Sequence, residues 1–282
     1  MSTIEKLISI KKKSMFYQNM SFFGTVFICI LLYFFRDDVL KLFGGFFLGL
    51  AICIMLGTRA SKYDKMFRAK YKSVFVKNML SERLDDVHYE WKRGFTGPEL
   101  YDLQLFNYKG HISDDYLKAS YKGVHFIQAD VIHSDQKRHG GHTFKGKVMI
   151  ISNPFAELKG IWIYTKKFNY STSYASQSLD ILLLEDSEFA EVFSVYTALE
   201  ITKKDILTTE IKQRLLLLAK KYQRFGVRFN GQQMCVVIED SRDTFDLDNE
   251  SKKVIYEAEV ERIGQDIADI IEVIEVLGNI KE

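Results

Sequence analysis

Residues 14–58 read SMFYQNMSFFGTVFICILLYFFRDDVLKLFGGFFLGLAICIMLGT, and this stretch decides the architecture of the chain. No side chain between Ser14 and Phe35 is charged. As a helix rising 1.5 Å per residue, that run is about 33 Å long, enough to cross a hydrocarbon core of about 30 Å. The second run, residues 42–58, gives about 26 Å, which suffices where the bilayer thins or interfacial residues help. Both are read as transmembrane helices. A buried hairpin in a soluble core is the competing explanation, and the length of the first run argues against it.

The flanking charges orient the hairpin. Lys6, Lys11, Lys12 and Lys13 precede the first run, and Arg59, Lys62, Lys65, Arg68, Lys70 and Lys72 follow the second. The turn between them, with Arg36, Asp37, Asp38 and Lys41, is nearly balanced. The positive-inside bias therefore places both termini in the cytoplasm of a multi-pass protein of the cell (inner) membrane, with the lipid bilayer as its first partner. The lysines before an apolar run imitate a signal peptide, but the run is long and no A-x-A site follows, so an uncleaved anchor is expected. No ionisable residue lies inside either span, which leaves a proton or ion relay without support.

Gly45, Gly49, Cys53 and Gly57 recur every fourth residue and share one face of the second span, where a backbone can approach closely. That transmembrane packing face receives either the rings of Phe22, Phe23, Phe27 and Phe34 from the first span or a second protomer in a homo-oligomer.

Residues 1–72 hold 12 Lys and Arg against 4 Asp and Glu, leaving 27 basic and 33 acidic residues elsewhere, so the net +2 of the whole chain conceals a remainder of −6. An acidic soluble part lacks the footprint that phosphate backbones require, and no nucleic-acid partner is expected. The three cysteines, Cys29, Cys53 and Cys235, lie in apolar settings and indicate no disulfide framework.

Beyond the membrane, Tyr63, Phe67, Tyr71, Phe75 and Met79 step by four through a stretch free of Gly and Pro. The pattern predicts that the second helix continues as a stalk to about Glu90, its stripe being a packing face. Gly94, Gly97 and Pro98 end it. Antiparallel strands are predicted over residues 116–121, 124–133, 143–152, 160–166, 179–184, 194–197, 227–229 and 233–239. Lys122-Gly123 forms one turn, and Asn230-Gly231 suits a type I′ turn with positive φ at both central residues. Ser187 is expected to cap a short helix through Phe193, and Thr208 or Thr209 a helix that ends at Gly226. Tyr256, Val260, Ile263, Ile267, Ile270, Ile274 and Leu277 then make a heptad-like seam. It either docks on the chain's own sheet or stalk or joins a second copy.

The expected fold is thus α+β: a basic N-terminus (residues 1–13), a transmembrane helical hairpin (14–58), a long stalk helix (59–93), and a cytoplasmic antiparallel β-sheet domain with a C-terminal helix (94–282). Residues 184–196, LEDSEFAEVFSVY, followed by Ile206-Leu207-Thr208, a helix and a Val-x-Phe hairpin, resemble the bacterial domain of unknown function 3137 family. Thr143-Phe144-Lys145-Gly146 fits the same pattern. The resemblance covers most of the chain and implies a two-span hairpin followed by a cytoplasmic α+β domain, with another membrane protein as partner. It implies no activity. Thr209 stands where the pattern has proline, and the loop carrying His139 and His142 lies outside it.

His133, His139 and His142, with Asp135, gather in one loop and are the only metal-site candidates, since zinc or nickel takes such ligands. A glycine-rich basic loop lacks the rigid outer shell a metal site needs, so a solvated hairpin tip is the simpler reading. Glu185, Asp186, Glu188 and Glu191 would supply paired carboxylates for hydrolysis, yet their place at a helix start is accounted for by capping and the helix dipole. Nucleophile elbows, Walker loops, dinucleotide fingerprints, zincin helices and CxxC pairs are absent. No catalytic residue or cofactor is assigned. The expected function is a membrane-anchored cytoplasmic protein-interaction module, a scaffold or sensor. The alternative is a membrane-proximal metal-dependent enzyme using His133, His139 and His142.

Overall fold

A computed structural model describes residues 3–34, 39–106, 111–134, 143–152, 155, 157–168, 174–175, 179–197, 207–246 and 256–278. They form two compact units, one of residues 1–76 with 247–260 and one of residues 77–246 with 261–282.

In the first unit, α1 (Thr3–Phe34) and α2 (Val39–Lys70) run antiparallel. Both are long and apolar enough to cross a membrane. The Ser14 hydroxyl donates to the Ala60 carbonyl (3.3 Å) and the Ser21 hydroxyl to that of Cys53 (3.4 Å). Lys11 pairs with Asp64 at 3.5 Å, and the rings of Tyr17 and Tyr63 stack at 5.5 Å. The expected filling of the groove by phenylalanines is corrected: Phe22, Phe23, Phe27 and Phe34 face outward, 59–72% exposed. The groove is too narrow for a ring. A Cβ on Gly49 would lie 2.5 Å from Ile28 Cγ1, and one on Gly24 would lie 3.1 Å from Cys53 Sγ, so an aliphatic branch fills the space. Gly45 and Gly57 face open space.

α2 passes into a π-helical segment, Tyr71–Val76, whose Tyr71 hydroxyl donates to Glu259 at 2.7 Å. Phe67, Tyr71 and Phe75 lie ring against ring in succession, as the fourfold spacing predicts, with centroids 6.0 and 5.4 Å apart. The second unit begins with α3 (Lys77–Ser81). Helix therefore stops short of the expected Glu90, because residues 85–90 satisfy their backbone groups as a strand instead.

That strand, β1 (Asp85–Glu90), is one edge of a nine-stranded antiparallel sheet. The others are β2 (His111–Tyr121), β3 (Val124–Ser134), β4 (Thr143–Ser152), β5 (Lys159–Thr165), β6 (Asp180–Leu182), β7 (Phe193–Thr197), β8 (Phe225–Asn230) and β9 (Gln233–Glu239). Their spatial order is β1-β2-β3-β4-β9-β8-β5-β7-β6. The type I′ geometry expected at Asn230-Gly231 occurs instead at the turn between β2 and β3. Lys122 and Gly123 both have positive φ (47° and 79°), the type I′ pattern. At the other turn Asn230 pairs with Gln233, so the central residues are Gly231 and Gln232, and Gly231 alone has positive φ (65°), as a type II′ turn requires.

Alternation along the strands gives the sheet two buried faces. One carries Ala129, Val131, Phe144, Val148, Trp162, Tyr164, Tyr196, Cys235 and Val237, packed with Phe95, Leu100, Leu105 and Phe106 from the segment around α4 (Gly97–Asp102). The opposite face is covered by α5 (Ser187–Val192), α6 (Thr209–Lys221) and α7 (Tyr256–Leu277). Ile270 and Val273 of α7 border a small recess with Gln128, Met149 and Ile238 of three strands. Lys221 pairs with Asp269 (3.0 Å), and Arg214 donates to the carbonyl of Val276 (2.9 Å). The seam from Ile263 to Leu277 is accordingly buried within its own unit.

Caps fix the shorter helices. Asp186, not Ser187, caps α5: its carboxylate accepts from the Phe189 amide (3.1 Å) and from Lys212 (3.2 Å), which holds it below the usual carboxylate range. Thr208 caps α6, which ends at Lys221, before the expected Gly226. Gly226 instead lies in β8 under the Tyr164 ring.

Candidate functional site

A pocket of about 490 Å³ in the second unit is lined by Pro98, Leu100, Tyr101, Asp102, Phe106, His111 and His133. Its walls follow from local chemistry. Thr96 and Glu99 form a capping box at the start of α4: the Glu99 amide donates to the Thr96 hydroxyl (3.4 Å) and the Thr96 amide to the Glu99 carboxylate (2.6 Å). The backbone bond from Thr96 holds the Glu99 carboxyl below its ordinary pKa. Pro98 fixes the first turn.

The other end of α4 is held by Arg228 of β8. Its guanidinium donates to the carbonyls of Asp102 (3.1 Å) and Leu103 (2.7 Å) and to the Gln104 side chain (2.8 Å), satisfying acceptors that a helix C-terminus leaves open. It lies 5.0 Å from the Trp162 ring centre, and the Trp162 indole donates to the Gln104 carbonyl at 3.0 Å. Burial lowers the pKa of Arg228.

His111, the first residue of β2, pairs with His133 near the end of β3, so both imidazoles project from one face. The buried His133 ring stacks on Phe106 at 5.0 Å and 22°. The His111 ring lies along Gly97, where a Cβ would come within 3.1 Å of its Cε1. The pocket thus offers a largely apolar wall with two imidazoles, a carboxylate and a phenol, a donor and acceptor set suited to an amphipathic organic ligand or peptide side chain.

Of the histidines singled out in the sequence, His133 lines this pocket, while His139 and His142 lie outside the described residues. No group of three His, Cys, Asp or Glu able to hold a metal occurs among the described residues. Gly49 and Cys53 lie against α1, and Glu185, Asp186, Glu188 and Glu191 sit at α5, where Asp186 acts as its cap. Sequence reasoning missed His111, Asp102 and Arg228. Cross-strand pairing joins His111 to a residue 22 positions away in the sequence, and only the antiparallel register of the β2-β3 hairpin carries that information.

On the opposite sheet face, Asp130 accepts hydrogen bonds from the amide (2.5 Å) and hydroxyl (2.6 Å) of Thr244. Burial pushes its carboxyl up to about 6, against the opposing effect of those bonds and of Lys147. The Phe245 amide donates to Asp266 at 3.1 Å, so two buried acids fix the segment leaving β9.

Two apolar helices preceding a nine-stranded antiparallel sheet with a long C-terminal helix define an α+β protein with a candidate membrane hairpin. The chain belongs to the family described as a protein of unknown function, DUF3137, whose family model matches residues 139–279. No curated protein and no solved structure matches it. Every residue named above as lining the pocket precedes the matched segment.

Proposed function

We propose that the protein is a bacterial inner-membrane scaffold or sensor, with two transmembrane helices, both termini in the cytoplasm, and an α+β module that recognises another membrane protein. The observation carrying this reading is the outward apolar surface of α1 and α2. Phe22, Phe23, Phe27, Phe34, Phe47 and Leu48 are each 59% exposed or more, a continuous apolar surface that water does not tolerate and lipid does. Lys12, Lys13, Arg59 and Lys62 lie towards one end of this hairpin, as the positive-inside bias requires of its cytoplasmic end. Anchoring raises the concentration of the module against other membrane proteins, and the pocket beside α4 gives it a recognition surface.

Alkaline carbonate extraction and protease treatment of spheroplasts test the topology. The intact chain is expected in the pellet, with residues 94–282 protected until lysis. Recovery in the supernatant, or digestion of those residues before lysis, overturns the reading. For the module, proximity labelling from the C-terminus is expected to mark a membrane protein whose labelling falls when Gly97→Trp fills the pocket. The metal-dependent alternative keeps His133, His139 and His142 as its ligands, and stoichiometric zinc in the purified chain, lost in a His139→Ala/His142→Ala variant, would favour it instead.

A further inference from the structure

At the charged end of the hairpin, α1 and α2 form an open recess of about 810 Å³ lined by Glu5, Lys12, Lys13, Phe16, Tyr17 and Tyr63, together with Ile8 and Ser9. Its position is set by the hydrogen bond from Ser14 to Ala60. Ser14 is the first residue of one uncharged run, and Ala60 lies two residues past the end of the other, so the two apolar boundaries are level. The recess straddles that level. Phe16 and Tyr17 fall on the apolar side, and Lys12 and Lys13 on the charged side.

The aromatic wall is built from paired groups. Tyr17 and Tyr63 stack with their planes 5° apart, Arg59 lies 6.0 Å from the centre of Tyr17, and Lys13 lies 5.9 Å from that of Tyr63. Three cations thus border or brace a recess that contains one carboxylate, Glu5, and Lys11 beside it is taken up by Asp64. An occupant must be anionic at one end and apolar at the other.

We infer that this recess binds the headgroup of an anionic phospholipid of the cytoplasmic leaflet, its phosphate between Lys12 and Lys13 and its glycerol and upper acyl chains against Phe16, Tyr17 and Tyr63. Basic side chains just outside a membrane helix attract such lipids, and aromatic rings occupy the headgroup level. The inference rests on the membrane-spanning reading of α1 and α2. Bound lipid would give the hairpin a fixed depth in the bilayer and make the anchor sensitive to the charge of the leaflet.

The full chain, purified in neutral detergent, is titrated with short-chain phosphatidylglycerol, short-chain phosphatidylcholine and inorganic phosphate, with retained ligand read by native mass spectrometry. Saturable binding of phosphatidylglycerol is expected. Each Lys→Gln change at positions 12 and 13 weakens it about fivefold, Tyr63→Ala weakens it further, and Lys12→Arg/Lys13→Arg retains it. Equal binding of phosphatidylcholine, binding unchanged in Lys12→Gln/Lys13→Gln, or inorganic phosphate matching the lipid would overturn the inference, the last in favour of a soluble-anion site. Carbonate extraction of the same membranes reads insertion separately, so a failure of lipid selectivity is distinguishable from a failure of the spanning reading.

Discussion

Replacing Arg228 separates two opposing effects at the wall of the pocket. Arg228→Met removes three donated hydrogen bonds, leaving the carbonyls of Asp102 and Leu103 and the Gln104 side chain unpaired. Each orphaned acceptor costs about 1–3 kcal/mol. Against that, methionine spares the burial of a cation, worth several kcal/mol, and fills much of the same volume. Its net loss is set at about 2–3 kcal/mol, which at about 2–4 °C per kcal/mol for a unit of this size lowers the melting temperature by about 4–12 °C. Arg228→Lys keeps the buried charge but not the planar fork that reaches three acceptors at once, so it is expected to melt below the methionine variant. Thermal melts of the detergent-solubilised chain, followed by tryptophan fluorescence and near-ultraviolet dichroism, give the order native, Met, Lys. A methionine variant within about 1 °C of native, or a lysine variant more stable than it, would refute the clamp.

Two further outcomes follow from the core. Asp130 has a folded pKa near 6 against an ordinary value of 3.8. The folded state therefore binds this proton more tightly, and the associated stability is fully present below about pH 4 and lost as pH rises through about 6, in total about 3 kcal/mol. Asp130→Asn abolishes this titration, so its stability relative to native rises across that interval. Urea unfolding at pH 4 and pH 7 measures the gap, and a gap independent of pH contradicts the assignment. Gly226→Ala would place a Cβ 2.2 Å from Tyr164 Cδ1, against a fully buried ring. A loss of about 1–3 kcal/mol is expected, and calorimetry showing none would mean that the ring yields.

Apolar runs of strand length, ending at turns with Gly or Asn, made most of the sheet legible, because its central strands bury side chains on both faces. β9 was legible to the residue, from Gln233 to Glu239. β1 was not, because Asp85, Asp86, His88 and Glu90 make a polar edge in which Tyr89 is the buried side chain. Its sequence therefore continues a helical stretch without an apolar signal of its own. Arg228 sits among apolar neighbours and reads like an outward residue, since its partners lie more than 120 positions earlier. In the hairpin, the phenylalanines gave the two helices their apolar character but not their packing, because ring count says nothing of which side the partner helix occupies. The pocket was half legible: His133 stood out through its neighbours in sequence, while His111 and Asp102 depend on register and on a helix terminus.

The order of the central strands has a consequence for how the chain is made. β4 ends at Ser152, and its second neighbour, β9, begins at Gln233. At about 5–20 residues per second the ribosome needs roughly 4–16 s to supply the missing edge. Throughout that interval the β1–β4 meander presents an open row of backbone donors and acceptors rich in Val and Ile, the feature that invites wrong pairing with another nascent chain. The half-built sheet therefore carries an unpaired central edge until its last strand is made.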